Sequence, residues 1–306
     1  MTAAPSSRSA DVREILVTGA NGQLGLALQR HRWPEGFGVV ALARDALDLR
    51  DTDAIADAVA SRRWAAVING AAYTAVDKAE TDAVAAWAIN ALAPAALAAA
   101  CEAADIPLVQ VSTDYVFDGS KSGAWEVDDP VNPLSVYGAS KLGGELAVRT
   151  ACRRHAIVRT AWVVSANGTN FVKTMLRAGA ERPELNVVCD QTGSPTGAGD
   201  LAAALATVAV GLAQDRSAPT GTFHFANAGA TTWHGFAEAI FAGSVKRGGS
   251  APIVHAIRTA DYPTLARRPA NSVLSTAALT SAYGVTPRPW QAALDDILDE
   301  LLGTAV

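Results

Sequence analysis

The stretch Glu14-Ile15-Leu16-Val17-Thr18-Gly19-Ala20-Asn21-Gly22-Gln23-Leu24-Gly25 decides the fold of this chain. Glu14 to Val17 read as a short apolar strand, and a helical pattern follows at Leu24, Leu26 and Leu28. Between them Gly19, Gly22 and Gly25 stand at G-x-x-G-x-x-G spacing. Glycine permits a tight strand-to-helix turn and lets the backbone approach a pyrophosphate, whose charge then rests on the helix N-terminus. The spacing is a variant of the G-x-G-x-x-G dinucleotide fingerprint. It predicts a cofactor turn using Gly19, Asn21, Gly22, Gln23, Leu24 and Gly25; a Gly-rich βα turn in some other α/β protein is the rival reading.

Outward from this turn, strands and helices alternate. Further strands are predicted over 38–42, 66–69, 108–112 and 156–160, with helices over 52–62, 81–104 and 135–154. This alternation predicts an α/β fold, a Rossmann-like doubly wound parallel sheet with helices on both faces and the site at the strands' carboxyl ends. Beyond Trp162 the elements shorten between Gly and Pro breaks, which predicts a smaller C-terminal substrate-binding lobe. The expected division is 13–165 with roughly 186–226 for the cofactor domain, and roughly 166–185 with 227–306 for the lobe, behind a disordered leader over 1–12. The second strand runs into Ala43-Arg44-Asp45. An acid there binds the ribose hydroxyls of NAD, and an Arg accommodates the extra phosphate of NADP. Arg44 comes first, so NADPH is favoured, with NADH the alternative if Arg44 is an ordinary surface residue.

Tyr137 and Lys141, in Val136-Tyr137-Gly138-Ala139-Ser140-Lys141, lie one helical turn apart on one face. A free Tyr hydroxyl titrates near 10, and an ammonium beside the ring favours the phenolate and draws that value down. Upstream, Thr113 ends an apolar stretch where a hydroxyl could hold a carbonyl oxygen. Thr, Tyr and Lys together suit hydride chemistry on a C=O or CH–OH group. On its own, Y-x-x-x-K also describes many exposed helices; the cofactor turn gives it meaning.

Composition narrows the field. The 306 residues are half hydrophobic and carry a net charge of −5. No basic block or stripe is visible, which argues against a nucleic-acid partner. The Ala-rich stretch from Ala83 to Ala104 is broken by Asn90, Pro94 and Glu102, so a soluble helix is expected rather than a membrane span. The first residues lack a signal-peptide core, so a cytoplasmic protein is expected. Cys101, Cys152 and Cys189 are widely spaced, which predicts reduced thiols. The five histidines show no ligand spacing, so no metal is expected.

Five segments carry a resemblance that covers Ile15 to about Leu302. They are Asn69-Gly70-Ala71-Ala72-Tyr73-Thr74-Ala75-Val76-Asp77-Lys78-Ala79-Glu80, Val111-Ser112-Thr113-Asp114-Tyr115-Val116-Phe117-Asp118-Gly119, Arg159-Thr160-Ala161-Trp162, Asp190-Gln191-Thr192-Gly193-Ser194-Pro195-Thr196 and Ala266-Arg267-Arg268-Pro269-Ala270-Asn271-Ser272. In that order they resemble the extended short-chain dehydrogenase/reductase family and, within it, the dTDP-4-dehydrorhamnose reductases. The resemblance implies NADPH-dependent reduction of a 4-keto sugar to dTDP-L-rhamnose, a precursor of surface polysaccharide. It implies a catalytic triad of Thr113, Tyr137 and Lys141. Ala71, Ala72 and Tyr73 would line the cofactor, and Asp48 and Leu49 would flank its adenine. Asn90 would bond strand backbone. Thr74, Val76, Thr113, Asp114, Tyr115 and Trp162 would border the deoxysugar, and Arg268 and Asn271 would reach the nucleotide. Trp162 has a core reading beside it, and Arg268 a solvated one.

Related sugar-nucleotide dehydratases read Thr-Asp-Glu where this chain has Thr113-Asp114-Tyr115, so the elimination lacks its base. Some family members form a dimer bridged by Mg²⁺ on carboxylates. Two of those positions fall here at Ala27 and Gly199, and Glu300 alone would not hold the ion, so a monomer or a metal-independent homodimer is expected. Other relatives serve as non-catalytic, NADP-binding regulatory subunits, and still others reduce different nucleotide-linked 4-keto sugars; both stand as alternatives.

Overall fold

The computed structural model describes residues 12–304, so the expected leader lies, Val12 apart, outside the described residues. The first half runs β1 (Arg13–Thr18), α1 (Gln23–Arg30), β2 (Phe37–Leu42), α2 (Thr52–Ala60), β3 (Ala66–Asn69), α3 (Val76–Ala79), α4 (Ala83–Trp87), α5 (Ala93–Ala103), β4 (Leu108–Thr113), α6 (Val136–Ala151) and β5 (His155–Thr160). Shorter elements follow: β6 (Val163–Val164), α7 (Phe171–Glu181), β7 (Glu184–Val188), β8 (Thr192–Gly193) and β9 (Thr196–Gly197). The chain then forms α8 (Ala198–Gln214), β10 (Gly221–His224), β11 (Thr231–Thr232), α9 (Trp233–Val245), β12 (Ile253–Ile257), α10 (Ala277–Tyr283) and α11 (Trp290–Leu302).

Six strands pair in the order β10-β5-β4-β3-β1-β2, all parallel. Their side chains alternate between two buried faces. Ile15, Val17, Ile68, Val109 and Val158 pack with Leu24 and Leu28 of α1 and Leu201, Leu205 and Val208 of α8. Leu16, Val67, Leu108 and Ile157 pack with α2, α5 and α6 on the other side. Burial on both faces explains why these strands read as continuous apolar runs. Each enclosed aliphatic side chain contributes about 1.5–3 kcal/mol. The winding of the sheet reverses at β1, with β2 added on one side and β3 on the other, and the site forms above that point and the neighbouring β4.

The helix expected over 81–104 is interrupted. A π-helical turn, Ala88–Leu92, separates α4 from α5. Pro94 has no N–H, which frees the carbonyl of Asn90 from the helical ladder. That carbonyl abuts Gly144 of α6, where a Cβ would come within 2.2 Å of it. The Ala83–Ala103 span is long and apolar enough to cross a membrane, yet Ala86, Ala93, Leu97, Ala98 and Cys101 are buried against the neighbouring helices and sheet. Past β5, α7, α9 and α11 enclose a separate core of Val164, Val172, Phe236, Ile240, Trp290, Leu294 and Leu298, and β7 pairs with β12 alongside it.

Candidate active site

The cofactor turn is held shut by its own backbone. Gly19 has φ +80°, and the N–H groups of Gly19 and Ala20 donate to the Leu42 carbonyl at 3.1 and 3.2 Å. A Cβ on Gly25 would come within 2.1 Å of the Gly19 carbonyl oxygen, so only glycine fits where α1 crosses the turn. The N-cap, Gly22, carries no capping side chain, which leaves first-turn N–H groups of α1 for an anion. These features fit a dinucleotide pyrophosphate. The Gln23 side chain does other work. Its amide donates to the Val163 carbonyl at 3.3 Å and accepts from Ser165 and Asn170 at 2.9 Å each, tying the turn to the C-terminal half.

At the end of β2, Arg44 is exposed and 3.9 Å from Asp48. Arg50 grips the Asp48 carboxylate through Nε and Nη2 and holds it well below the usual carboxylate range. Leu49 is buried beneath α2. Ala71, Ala72 and Tyr73 leave β3 beside Gly19. Asn90, in the π turn, clamps this exit by accepting from the Tyr73 N–H at 2.8 Å and donating to its carbonyl at 3.1 Å. The same amide donates to Ser140 Oγ at 3.0 Å, and Ser140 donates to the Tyr137 carbonyl at 2.8 Å. One residue thus locks the cofactor-side loop to the helix bearing Tyr137 and Lys141.

Ser135 caps α6 through the Gly138 N–H at 3.2 Å, which sets Tyr137 and Lys141 in its first turns. The Tyr137 hydroxyl lies near the Thr113 side chain. Thr113 in turn donates to Asp114 Oδ1 at 2.9 Å and accepts the Tyr115 N–H at 3.2 Å. The Tyr115 ring stands edge-on to Tyr137 with centroids 5.4 Å apart. The expected pull of Lys141 on Tyr137 needs correction. The buried Lys141 ammonium donates to the Val111 carbonyl at 2.6 Å, and burial lowers its value to about 8. Burial likewise pushes the Tyr137 phenol up to about 12, with the neighbouring Thr113 hydroxyl opposing. Loss of solvent is the largest cause and the Asp114 charge adds to it, so Tyr137 is a protonated donor at neutral pH.

One turn further along, Glu145 opposes the loss of charge on Lys141. Glu145 is fully enclosed and bound by Arg159 through Nε and Nη2 at 2.8 and 2.7 Å. Neither residue carries a functional motif of its own in the sequence, although Tyr137, Lys141 and Glu145 form a stripe at i, i+4 and i+8. Asp114 is buried, which raises its carboxyl to about 6. The Ser272 hydroxyl opposes that rise but is directed at the Thr192 carbonyl, and Asp114 Oδ2 has no hydrogen-bond partner among the described residues. Ser112 Oγ and Thr160 Oγ1 also lack a partner among the described residues, in adjacent register at the ends of β4 and β5. Each such group costs about 1–3 kcal/mol, a cost that ligand hydroxyl and amide groups could offset.

Among the other expected residues, Thr74 is exposed and Val76 opens α3 half-buried. Trp162 has φ +46°, rare for a bulky residue. Its ring stacks on Trp233 at 3.5 Å and covers Gly193, where a Cβ would fall 2.5 Å away. Arg268 is bound by Asp77. Asn271, expected to reach the nucleotide, is used up internally: its amide donates to the Lys121 and Gly123 carbonyls at 2.8 and 2.6 Å and its oxygen accepts the Val273 N–H at 3.2 Å. It pins its own loop. Elsewhere, a cavity of about 360 Å³ is lined by Ala27, Gly199 and Glu300, and there Arg30 pairs with Glu300 at 2.9 Å. No group of three or more His, Cys, Asp or Glu able to hold a metal ion occurs among the described residues.

A glycine turn heading a doubly wound parallel sheet, with Thr, Tyr and Lys converging beside it, defines the class of short-chain dehydrogenases/reductases. The chain belongs to the RmlD substrate binding domain family, whose model matches residues 13–302. It is 44% identical over 296 residues to a dTDP-4-dehydrorhamnose reductase of Burkholderia thailandensis, covering 94% of this chain and 99% of that one. A crystal structure of a dTDP-4-dehydrorhamnose reductase from Clostridium acetobutylicum superposes with a TM-score of 0.87 at 38% identity, covering 94% and 99% of the two chains. A dTDP-4-dehydrorhamnose reductase from Bacillus anthracis in complex with NADP gives the same TM-score and coverage at 34% identity.

Proposed function

We propose that this chain reduces the C4 ketone of dTDP-4-dehydrorhamnose to dTDP-L-rhamnose with NADPH, in the cytoplasm, as a monomer or a metal-independent homodimer. The observation that carries the reading is the buried group of Thr113 and Tyr137, with Lys141 one turn along, beside the uncapped glycine turn. Its relatives' names point to the same substrate.

In this reading, Gly19, Asn21, Gly22, Gln23, Leu24 and Gly25 hold the pyrophosphate, and Arg44 takes the 2′-phosphate. Residues 13–165 and roughly 186–226 form the cofactor unit, and roughly 166–185 and 227–306 the substrate lobe. NADPH, when bound, supplies the hydride to C4. Tyr137 gives its proton to O4 as the C=O π pair becomes the new O–H bond. Lys141, on the same helix face and cationic up to about 8, offsets the phenolate charge left behind. Thr113 turns its hydroxyl from Asp114 to O4 and orients it. Asp114 Oδ2 then accepts a sugar hydroxyl, and Trp162 covers the ring. Tyr115 places no carboxylate where an elimination would need its base.

The test is a purified-protein assay across dTDP-, UDP- and GDP-linked 4-keto sugars with NADPH and with NADH, with the product identified by NMR. Preference for the dTDP sugar and NADPH, yielding dTDP-L-rhamnose, is the expected result. No turnover of any keto sugar, with NADPH still bound, would overturn it in favour of a regulatory subunit.

A further inference from the structure

Arg268 sits on a strap, residues 262–275, that crosses from α3 to the loop before α6. At the far end Asn271 fixes it to the Lys121 and Gly123 carbonyls, and Thr192 exchanges backbone bonds with Ala270 and Ser272 at 2.8 Å each. At the near end, among the described residues, Asp77 supplies the side-chain hydrogen bonds that tie the strap to the rest of the protein. Asp77 Oδ1 accepts the Ala266 N–H at 3.0 Å and Arg268 Nη1 at 3.2 Å, and Oδ2 accepts Nη2 at 2.6 Å. Arg268 Nη1 also donates to the Ala266 carbonyl at 3.1 Å.

A guanidinium has two usable edges: an end-on edge of Nη1 and Nη2, and a side-on edge of Nε and Nη2. Asp77 and Ala266 consume the end-on edge. The side-on edge, a pair of parallel donors suited to two phosphate oxygens, has no partner among the described residues. The guanidinium also neighbours Tyr115 of the catalytic cluster. An unheld Arg would have to order its long side chain on binding, and that cost falls when the fork is already fixed.

We propose that Asp77 is a positioning residue that clamps the strap and the end-on edge of Arg268, so that the side-on edge meets the diphosphate of the substrate. This rests on the dTDP-sugar reading above. Because the contact is made in both ground and transition states, its loss should appear in KM and leave kcat nearly unchanged.

The probes are dTDP and thymidine, which differ by the diphosphate, titrated calorimetrically into the NADPH complex. Asp77→Asn is expected to weaken dTDP about tenfold and leave thymidine unchanged, and Arg268→Ala to weaken dTDP at least as much. In the double variant the two effects should not add. If Asp77→Asn loses NADPH binding, Asp77→Glu carries the same comparison, since its longer stem displaces the fork; several-fold weaker dTDP with thymidine spared is expected. Unchanged or tighter dTDP binding, equal loss of dTDP and thymidine, or additive effects would overturn the positioning role alone. Failure of the unaltered protein to prefer dTDP over thymidine would overturn the substrate reading and this inference together.

Discussion

Replacing Asp114 by Asn removes a charge from a buried carboxyl that, unlike Glu145, has no cationic partner among the described residues, while keeping its shape. Asp114 is 2% exposed and one of its oxygens lacks a partner. Burial, the dominant cause, lifts its carboxyl from 3.8 to about 6, partly opposed by the Ser272 and Thr113 hydroxyls. A carboxyl whose folded value lies above its unfolded one holds its proton more tightly in the native state. The native state therefore loses stability as pH rises through the interval between the two values, and the loss is complete above the higher one. At about 1.4 kcal/mol per pH unit the full loss is about 3 kcal/mol. Asn can still accept from Thr113 and carries no such penalty. Near pH 8 the variant is expected to be more stable by up to about 3 kcal/mol, roughly 5 °C in Tm. About half of that gain should remain near pH 5 and little near pH 4. Thermal unfolding of both proteins across this range, without ligands, is the assay. A gain independent of pH, or a variant less stable at pH 8 than at pH 4 relative to the parent, would refute the reasoning.

Other perturbations follow from the same geometry. Arg44→Ala should weaken NADPH by about tenfold or more while leaving NADH nearly unchanged, since a charge-assisted bond to the 2′-phosphate contributes about 1.5–3 kcal/mol; cofactor fluorescence titration reads this, and equal effects on both would remove Arg44 from phosphate recognition. Burial lowers Lys141 to about 8, so kcat/KM should fall along an alkaline limb near that pH as the ammonium loses its proton, and a profile flat to pH 9.5 would contradict the role given to it. EDTA should change neither hydrodynamic size by light scattering nor activity, because Ala27 and Gly199 offer no side-chain oxygen and Glu300 is taken by Arg30; dissociation on chelation would show that other residues hold a bridging ion.

The fold was legible because its strands are buried on both faces and its first turn is written in glycines. Runs such as Ile15-Leu16-Val17 show no alternation, the pattern of a parallel sheet between two helical layers. The π turn was not legible. Pro94 signals a break, but the relation of the freed Asn90 carbonyl to Gly144 depends on two helices meeting. The same limit applied in the site. Spacing placed Tyr137 above Lys141, yet whether Lys141 would face the phenol or the Val111 carbonyl is a tertiary matter. Asn271 carries its polar atoms in a loop and could have reached a ligand or its own neighbours; the fold chose the neighbours. Asp77 and Arg268 lie 191 residues apart, and no local pattern announces their pairing.

Tyr137→Phe tests the central claim most directly. It deletes one oxygen and leaves the ring against Tyr115. Measured as NADPH oxidation at saturating dTDP-4-dehydrorhamnose, with cofactor affinity and Tm checked in parallel, the variant should retain folding and NADPH binding and lose turnover by about 10²–10⁴-fold. Turnover within a few-fold of the parent would contradict the assignment of Tyr137 as the proton donor.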